Sequence, residues 1–135
     1  MGRDFLRDMA SEGVPEEERK KRHAGSIRLL SGAPVIIIAA LSYNDLDDYE
    51  DPEKEANERM MAEHSLGAAL QNLMLALTAQ GIGSVWRCAP LFCPETARNA
   101  LDLPADWSPR ALIVAGKPAS APPPKETPAP EIIIR

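Results

Sequence analysis

The feature of this sequence that most limits its fold is a long segment without charge: no Asp, Glu, Lys or Arg lies between Ser65 and Val85. Its large apolar residues recur at the spacing of one helical face, at Leu66, Leu70, Leu73, Met74 and Leu77. This periodicity predicts a helix over residues 52–80, with Gly81 as its C-terminal cap. Because uncharged helix surface is poorly solvated, we expect this helix to be covered nearly all round, by its own sheet and by a second subunit.

Three apolar segments predict strands. Residues 35–43 read VIIIAALSY, a nearly unbroken apolar run that begins with four β-branched residues, and residues 110–115 read RALIVA. Runs of this length and composition are typical of strands that are buried on both faces. A shorter strand is predicted over residues 84–88. A helix is predicted over residues 94–103, because Pro94 at its first turn loses no hydrogen bond.

The first 28 residues are rich in charge, with seven Lys or Arg and six Asp or Glu residues. Phe5, Leu6 and Met9 form a short apolar stripe, which Gly13 and Pro15 interrupt. This pattern predicts a solvated helical arm that packs on the rest of the protein through a narrow face.

The C-terminal segment, residues 117–135, contains six prolines and ends in EIIIR. Such a proline content is typical of an extended linker and not of a packed element. The final strand has no neighbour in sequence, so we expect it to pair with the edge of a sheet on a partner subunit. The sequence thus predicts a domain over residues 1–116 and an extension over residues 117–135.

The composition argues against several classes of protein. The formal net charge of −5 disfavours nucleic acid and anionic membranes as partners. No apolar run approaches the roughly 20 residues that span a bilayer, and the charged N-terminal sequence lacks a signal-peptide core. Two cysteines, Cys88 and Cys93, are too few for a zinc site or a disulfide framework. The sequence therefore predicts a cytoplasmic protein with reduced thiols and no metal site.

An ordered series of motifs carries a resemblance to a known family. Residues 66–92 read LGAALQNLMLALTAQGIGSVWRCAPLF, followed by LDLPADW and by VAGKP. The series resembles the nitroreductase family of flavin enzymes. Within that family it is most similar to the flavin domain fused to, or paired with, the ligase that attaches glutamate to the deazaflavin coenzyme F-420. The resemblance implies an α+β homodimer with a mixed sheet flanked by helices and one FMN per active site at the dimer interface.

The resemblance also implies where the flavin binds. It places the loop formed by Cys88, Ala89, Pro90 and Leu91 against the isoalloxazine ring. A backbone N–H there would donate to N5 or O4 of the ring. Pro90 has no N–H, so the amide of Leu91 is the expected donor. A simple strand-to-helix turn is the alternative interpretation of this loop.

The phosphate of the cofactor has two candidate ligands. By resemblance, Lys125 lies where the family's C-terminal extension offers a basic side chain to the FMN phosphate, although a lysine among prolines is also typical of a surface charge. Arg87 is the second candidate, although an arginine at a strand end more often lies at the surface. Hydride enters and leaves at flavin N5, so no catalytic side chain is expected.

The resemblance implies an FMN-dependent oxidoreductase. Its hydride donor would be NAD(P)H or a reduced deazaflavin, its acceptor an unsaturated or nitro compound, and its role a step in coenzyme F-420 biosynthesis. Family members begin with an arginine-rich stretch, a helix and a strand that precede the first residue of this sequence and supply most phosphate contacts. Either the sequence is a fragment or a separate chain supplies that part. The alternative function is a truncated, non-catalytic subunit that binds flavin or deazaflavin.

Other residues have more ordinary interpretations. The acidic loop after Tyr43 lacks the glycine and glutamate spacing of a calcium-binding loop, so it is expected to be a solvated connection. His64 is expected in the core or in an interface, and Cys88 is expected to pack and not to act as a redox thiol. Trp86 and Trp107 are expected to anchor the core or an interface, with Trp86 also a candidate for the wall of the flavin pocket.

Overall fold

The structure of the chain, a computed structural model, describes residues 2–120. Within that part the helices are α1 (Gly2–Ser11), α2 (Glu16–Gly32), α3 (Pro52–Ala79), α4 (Ala89–Phe92) and α5 (Pro94–Leu101). The strands are β1 (Val35–Leu41), β2 (Gly83–Arg87) and β3 (Ser108–Gly116). The predicted terminal strand and Lys125 lie outside the described residues.

The three strands form one antiparallel sheet in the order β1-β3-β2. Strand β3 lies at its centre, and its residues from Ala111 to Ala115 are at most 5% exposed. This confirms the α+β class and the buried strand predicted over residues 110–115. Among the described strands no pair is parallel, although a mixed sheet was expected.

The prediction that β1 is buried on both faces is wrong for the described sheet. Strand β1 lies at the edge, and Val35 and Ile36 are 50% and 41% exposed. A run of β-branched residues indicates a strand because these side chains fit a pleated surface. It does not indicate whether other parts of the protein cover both faces of that strand.

Helix α3 packs on one face of the sheet through the apolar stripe that its periodicity predicts. Successive side chains of a strand point to opposite faces. Ala39, Ala111 and Ile113 point to α3, where they form a buried cluster with Leu70. The other leucines of the stripe and Met74 pack around this cluster.

Both ends of α3 are capped. At the start, the Asp51 side chain accepts a hydrogen bond from the Glu53 N–H at 2.9 Å. At the end, the N–H of Ile82 donates to the carbonyl of Leu77, and the N–H of Gly81 donates to that of Thr78. This pair of bonds is a Schellman motif, and Gly81 has the positive φ of 71° that the motif requires. The predicted cap is confirmed.

The opposite surface of α3 is not covered within the described residues. Met61 and Leu75 are 55% and 58% exposed, and the small residues Ser65 and Ala68 between them are exposed as well. The expectation that this helix is covered nearly all round is therefore met on one side only. Although α3 has 28 residues, no helix among residues 2–120 is long and apolar enough to cross a membrane.

Helices α1 and α2 form the N-terminal arm. Met9 is 5% exposed while Phe5 is 38% exposed, so α1 packs through a narrow face, as predicted. Gly13, with φ of 76°, lies in the turn between the two helices. Helix α2 continues to Gly32, beyond the predicted arm, and none of its 17 residues is buried.

A polar cluster connects the N-terminal half of α3 to the sheet. The hydroxyl of Tyr43, which follows β1, donates to the Glu63 carboxylate at 2.7 Å. Arg110 of β3 donates to the same hydroxyl and pairs with Glu63 at 2.8 Å. The guanidinium of Arg59 lies over the Tyr43 ring, 5.0 Å from its centroid. Burial, followed by the hydrogen bond to Glu63, raises the pKa of Tyr43, so the phenol stays neutral and bridges helix and sheet.

We expect Tyr43→Phe to destabilise the fold by about 1 kcal/mol, because the hydroxyl joins Glu63 to Arg110. Urea unfolding would measure the change in the free energy of unfolding. Tyr49→Phe is the matched control, since Tyr49 is 41% exposed. Equal stability of Tyr43→Phe and the wild type would show that the cluster does not anchor α3.

Candidate functional site

The second face of the sheet, opposite α3, borders a cavity of about 1000 Å³, which also reaches Met74 and Thr78 at the C-terminal end of α3. Val85 of β2 and Val114 of β3 are paired neighbours on this face and form part of its floor. Gly25, Arg28 and Leu29 of α2 line the same cavity from the other side. Helix α2 therefore lies over this face without closing on it, which explains why none of its residues is buried.

A second cavity of about 350 Å³ continues the first one along α2. Both are lined by Gly25 and Leu29. The second is also lined by Phe5, Arg22, Ser26 and Arg87. We call the two cavities together the α2–β2 groove, with a wide end at Gly83 and a narrow end at Arg87. The residue after Arg87 is Cys88, where the predicted flavin loop begins.

The groove carries positive charge, although the chain has a net charge of −5. Arg28 and Lys117 line the wide cavity, and Arg22 and Arg87 line the narrow one. Within residues 2–120, Arg28 and Arg87 have no hydrogen-bond or ion-pair partner. Guanidinium groups without a partner, beside apolar walls, favour a ligand that carries an anionic group.

The predicted flavin loop follows the groove directly, but its four residues line neither cavity. Pro90 is buried and Leu91 is 45% exposed, and both belong to the short helix α4. The N–H of Leu91, which was expected to donate to the flavin, donates to the carbonyl of Cys88 at 3.0 Å. In this structure that amide is already used. The N–H of Ala89, the first residue of α4, has no intrahelical partner and is the better candidate.

The two cysteines of the loop have different environments. Cys88 is exposed, so the expectation that it packs is wrong. The Cys93 thiol donates to the carbonyl of Ala89 at 3.3 Å. Burial raises the pKa of Cys93, so its thiol stays protonated at neutral pH. Nowhere in residues 2–120 do three or more His, Cys, Asp or Glu side chains converge so that they could hold a metal ion.

Three other residues with sequence-based expectations lie away from the groove. Trp86 packs against the core cluster under α3, so it anchors the core, as expected, and does not line the groove. Trp107 is 44% exposed. His64 is exposed on α3, so it is not a core residue of this chain. Lys125 lies outside the described residues.

The groove residues on α2 were not among the predicted site residues. Arg22, Gly25, Ser26 and Leu29 lie at i, i+3, i+4 and i+7, so they share one face of α2. That face offers two small residues and an arginine but only one large apolar side chain. This combination within a charge-rich helix was the signal available in the sequence.

The model of the nitroreductase family matches residues 1–117. A 5,6-dimethylbenzimidazole synthase of Rhodospirillum rubrum is 29% identical over 131 residues, which cover 96% of this chain and 58% of that protein. A structure from Desulfovibrio desulfuricans, described as a nitroreductase in complex with FMN, is 31% identical with a TM-score of 0.58. The match covers 79% of this chain and 55% of that one.

The FMN-dependent nitroreductase NfnB from Mycobacterium smegmatis, in complex with NADPH, has a TM-score of 0.53 at 21% identity, over 82% of this chain and 45% of that one. At this identity the similarity shows the fold alone. The chain spans little more than half of the length of the first two relatives. Since the family model matches most of the sequence, from residue 1 to residue 117, the chain belongs to the nitroreductase family.

Proposed function

We propose that this chain forms the FMN-binding core of a nitroreductase-type oxidoreductase, with the α2–β2 groove as its flavin site. The groove itself supports this most strongly, because it combines apolar walls with unpaired cations and ends at the loop that the resemblance assigns to the flavin ring. The 31% identical relative is a complex with FMN. The chain spans 58% of the R. rubrum relative, so the activity of the whole protein is part of the proposal.

The residues of the groove fit both parts of FMN. The ring of the cofactor is flat and largely apolar, and Leu29, Val85 and Val114 offer apolar surface on two sides. Its phosphate is an anion, and Arg28 and Lys117 line the same cavity. The volume of about 1000 Å³ lies at the upper end of the roughly 300–1,000 Å³ typical of small-molecule sites.

The placement of the charges favours one orientation of the cofactor. The ring would lie towards Arg87, beside the N–H of Ala89, and the phosphate towards Arg28 and Lys117. By the resemblance, Lys125 would add its charge at the phosphate end. FMN, when bound, supplies the hydride-accepting ring. The residues of this chain position that ring, exclude water and hydrogen-bond its polar edge.

Two hydride donors are compatible with this site. The resemblance to the nitroreductase family implies a nicotinamide donor, and NfnB, which shares the fold alone with this chain, is in complex with NADPH. The tract LFCPETARNALDLPADW, residues 91–107, supports a reduced deazaflavin, because it resembles the flavin domain associated with the F-420 ligase. We therefore place the reduction of a dehydro precursor of coenzyme F-420 first among the reactions proposed.

A second candidate function is a non-catalytic subunit that binds flavin or deazaflavin. The observation that favours it is that the N–H of Leu91, the expected flavin donor, already donates to the carbonyl of Cys88 at 3.0 Å. A groove that offers fewer hydrogen bonds to the flavin ring could hold a flavin without stabilising the charge of its reduced form.

We also propose a homodimer that buries the outer surface of α3. This surface is uncharged from Ser65 onwards, and Leu75 on it is 58% exposed. Burying apolar surface stabilises an assembly by roughly 25 cal/mol per Å². In a twofold dimer the same surface would meet its own copy. Residues 117–135 would then pair with a sheet edge of the partner, as β1 and β2 each have one unpaired edge in the described sheet.

Filling the groove tests the flavin site. Gly25 borders both cavities, and no atom lies within 4 Å of the position of a Cβ there. We expect Gly25→Leu to weaken FMN binding by about tenfold or more, because the new side chain occupies the space of the ring. The fold should be stabilised by up to about 1 kcal/mol, since glycine disfavours helix. Flavin fluorescence titration and thermal unfolding would measure the two effects.

Ala24→Leu is the matched control, because Ala24 is exposed on the same helix and lines neither cavity. Unchanged FMN affinity in Gly25→Leu would contradict the assignment of the groove. A folded wild-type chain that binds no FMN at micromolar concentration would exclude catalysis by this chain alone, and binding of a deazaflavin by the same chain would then favour the non-catalytic subunit.

Charge on the outer surface of α3 tests the dimer. We expect Ala68→Glu to shift the chain from dimer to monomer, because it would bury two carboxylates at a self-complementary interface. Ala56→Glu introduces the same residue at another exposed position of α3, within its charged first part, and should leave the dimer intact. Sedimentation equilibrium would report both masses. A wild-type chain that is monomeric at high micromolar concentration would overturn the proposal.

The proposed reaction has its own readout. FMN-loaded protein with NADPH or reduced deazaflavin should convert a dehydro precursor of coenzyme F-420 to a product heavier by one H₂, as measured by mass spectrometry. At limiting FMN, Gly25→Leu should slow the conversion by about tenfold or more, because it weakens flavin binding. An unchanged precursor, together with reduction of a nitro compound or a quinone by the same preparation, would replace the F-420 role with that of a general reductase.

A further inference from the structure

The narrow end of the α2–β2 groove brings together two arginines from different elements. Arg22 of α2 and Arg87 at the end of β2 both line the cavity of about 350 Å³. Two like charges at one cavity repel each other, and an anion between them removes that repulsion. We propose that Arg22 and Arg87 bind the anionic group, a carboxylate or a phosphate, of the molecule that reacts with the flavin.

Arg87 is the unpaired cation of this site. Within residues 2–120 it has no hydrogen-bond or ion-pair partner, whereas Arg110 on the neighbouring strand is paired with Glu63 at 2.8 Å. The backbone of Arg87 is fixed, because it pairs with Leu112 at the centre of the sheet. The residue after it is Cys88. An anion bound to Arg87 is therefore held next to the loop assigned to the flavin ring.

Arg22 is oriented by its own helix. Its Nε donates to the carboxylate of Glu18, one turn earlier, at 2.7 Å. This bond leaves the Nη groups of the planar guanidinium for a ligand, which can accept from both of them at once. Glu18 does not line the cavity, and its side chain is 40% exposed, so water screens its charge from a bound anion.

The remaining walls of the narrow end suit an organic anion better than a free inorganic one. Phe5 of α1 and Leu29 of α2 contribute apolar surface, and Ser26 contributes a hydroxyl. A ligand with an aromatic or aliphatic body would contact these walls while its charged group reached the arginines. An inorganic ion would leave the apolar walls in contact with water.

The site is separate from the place proposed for the FMN phosphate. That phosphate is assigned to Arg28 and Lys117, which line the wide cavity. Gly83 and Arg87, the first and last residues of β2, are four steps apart, which is about 13 Å at roughly 3.3 Å per residue. One phosphate cannot contact both ends. Because the groove has cations at each end, it fits a second anion in addition to the FMN phosphate. An uncharged acceptor would leave the positive charge of Arg22 and Arg87 uncompensated.

The identity of this second anion as the reaction partner rests on the proposed function. The binding of an anion by Arg22 and Arg87 does not, because it requires no flavin. An experiment that measures anion binding to the chain with and without FMN can therefore reject either statement without rejecting the other.

The test compares probes that share a nitrophenyl body and differ in charge. Isothermal titration calorimetry on the full chain would measure 4-nitrobenzoate, 4-nitrophenyl phosphate and the uncharged methyl 4-nitrobenzoate. We expect both anions to bind more tightly than the ester, and the tighter of the two identifies the chemical class of the partner. Arg87→Gln and Arg22→Gln should each weaken anion binding by about tenfold or more, with little effect on the ester.

Lys21→Gln is the matched control, because it removes one charge from the same helix at an exposed residue that lines neither cavity. Arg87→Lys keeps the charge but not the planar fork, and should weaken binding less than Arg87→Gln. Thermal unfolding of each variant would verify that it folds.

Equal binding of the anions and the ester, or anion binding that Arg87→Gln and Arg22→Gln leave unchanged, would overturn the inference. Arginine-dependent anion binding by a chain that binds no FMN would support the anion site and remove the proposed flavin function. FMN binding without any anion binding would support the proposed flavin function and remove the anion site.

Discussion

The contact between α3 and the central strand β3 determines what the rest of the molecule can do. Leu70 meets Ile113 and Ala111 on one face of the sheet, and Ile113 is fully buried there. Once α3 occupies that face, the alternate residues Val85 and Val114 have to point away from it. Within residues 2–120, α2 lies above their side of the sheet at a distance, so this side becomes the floor of a groove. The groove is thus a consequence of which face the uncharged helix covers.

Much of the fold could be predicted from the sequence, because local patterns determine it. The apolar stripe of α3, the Gly81 cap and the buried strand β3 were all readable from spacing and residue type. The edge position of β1 was not, because Val35 and Ile36 have the same strand propensity at an edge as at a centre. Which strands pair depends on contacts between residues far apart in sequence, and one sequence shows no such contacts.

The candidate site was only partly predictable, for a related reason. The loop from Cys88 to Leu91 was found through its resemblance to a family, but its N–H groups could not be assigned, because a short helix uses the Leu91 amide internally. Arg28 and Gly25 were missed, since α2 meets the groove only through tertiary structure. The helical spacing of the groove residues on α2 was visible in the sequence. A helical face with small residues has several explanations, however, until the element that packs opposite it is known.

The unpaired arginines of the groove limit what can cover it. On α2, Lys20 pairs with Glu16 one turn earlier, as is typical of solvated helical surface, whereas Arg22, which lines the narrow end, contacts Glu18 through its Nε alone. Arg28 and Arg87, which line the groove, have no such carboxylate within residues 2–120. An unpaired guanidinium is tolerated while the groove is open to water, but covering it would be costly unless an anion arrived at the same time. We therefore expect the covering of this groove to be coupled to ligand binding. Any further chain that packs over α2 would do so together with an anionic ligand, because the negative charge of that ligand compensates the buried guanidinium groups.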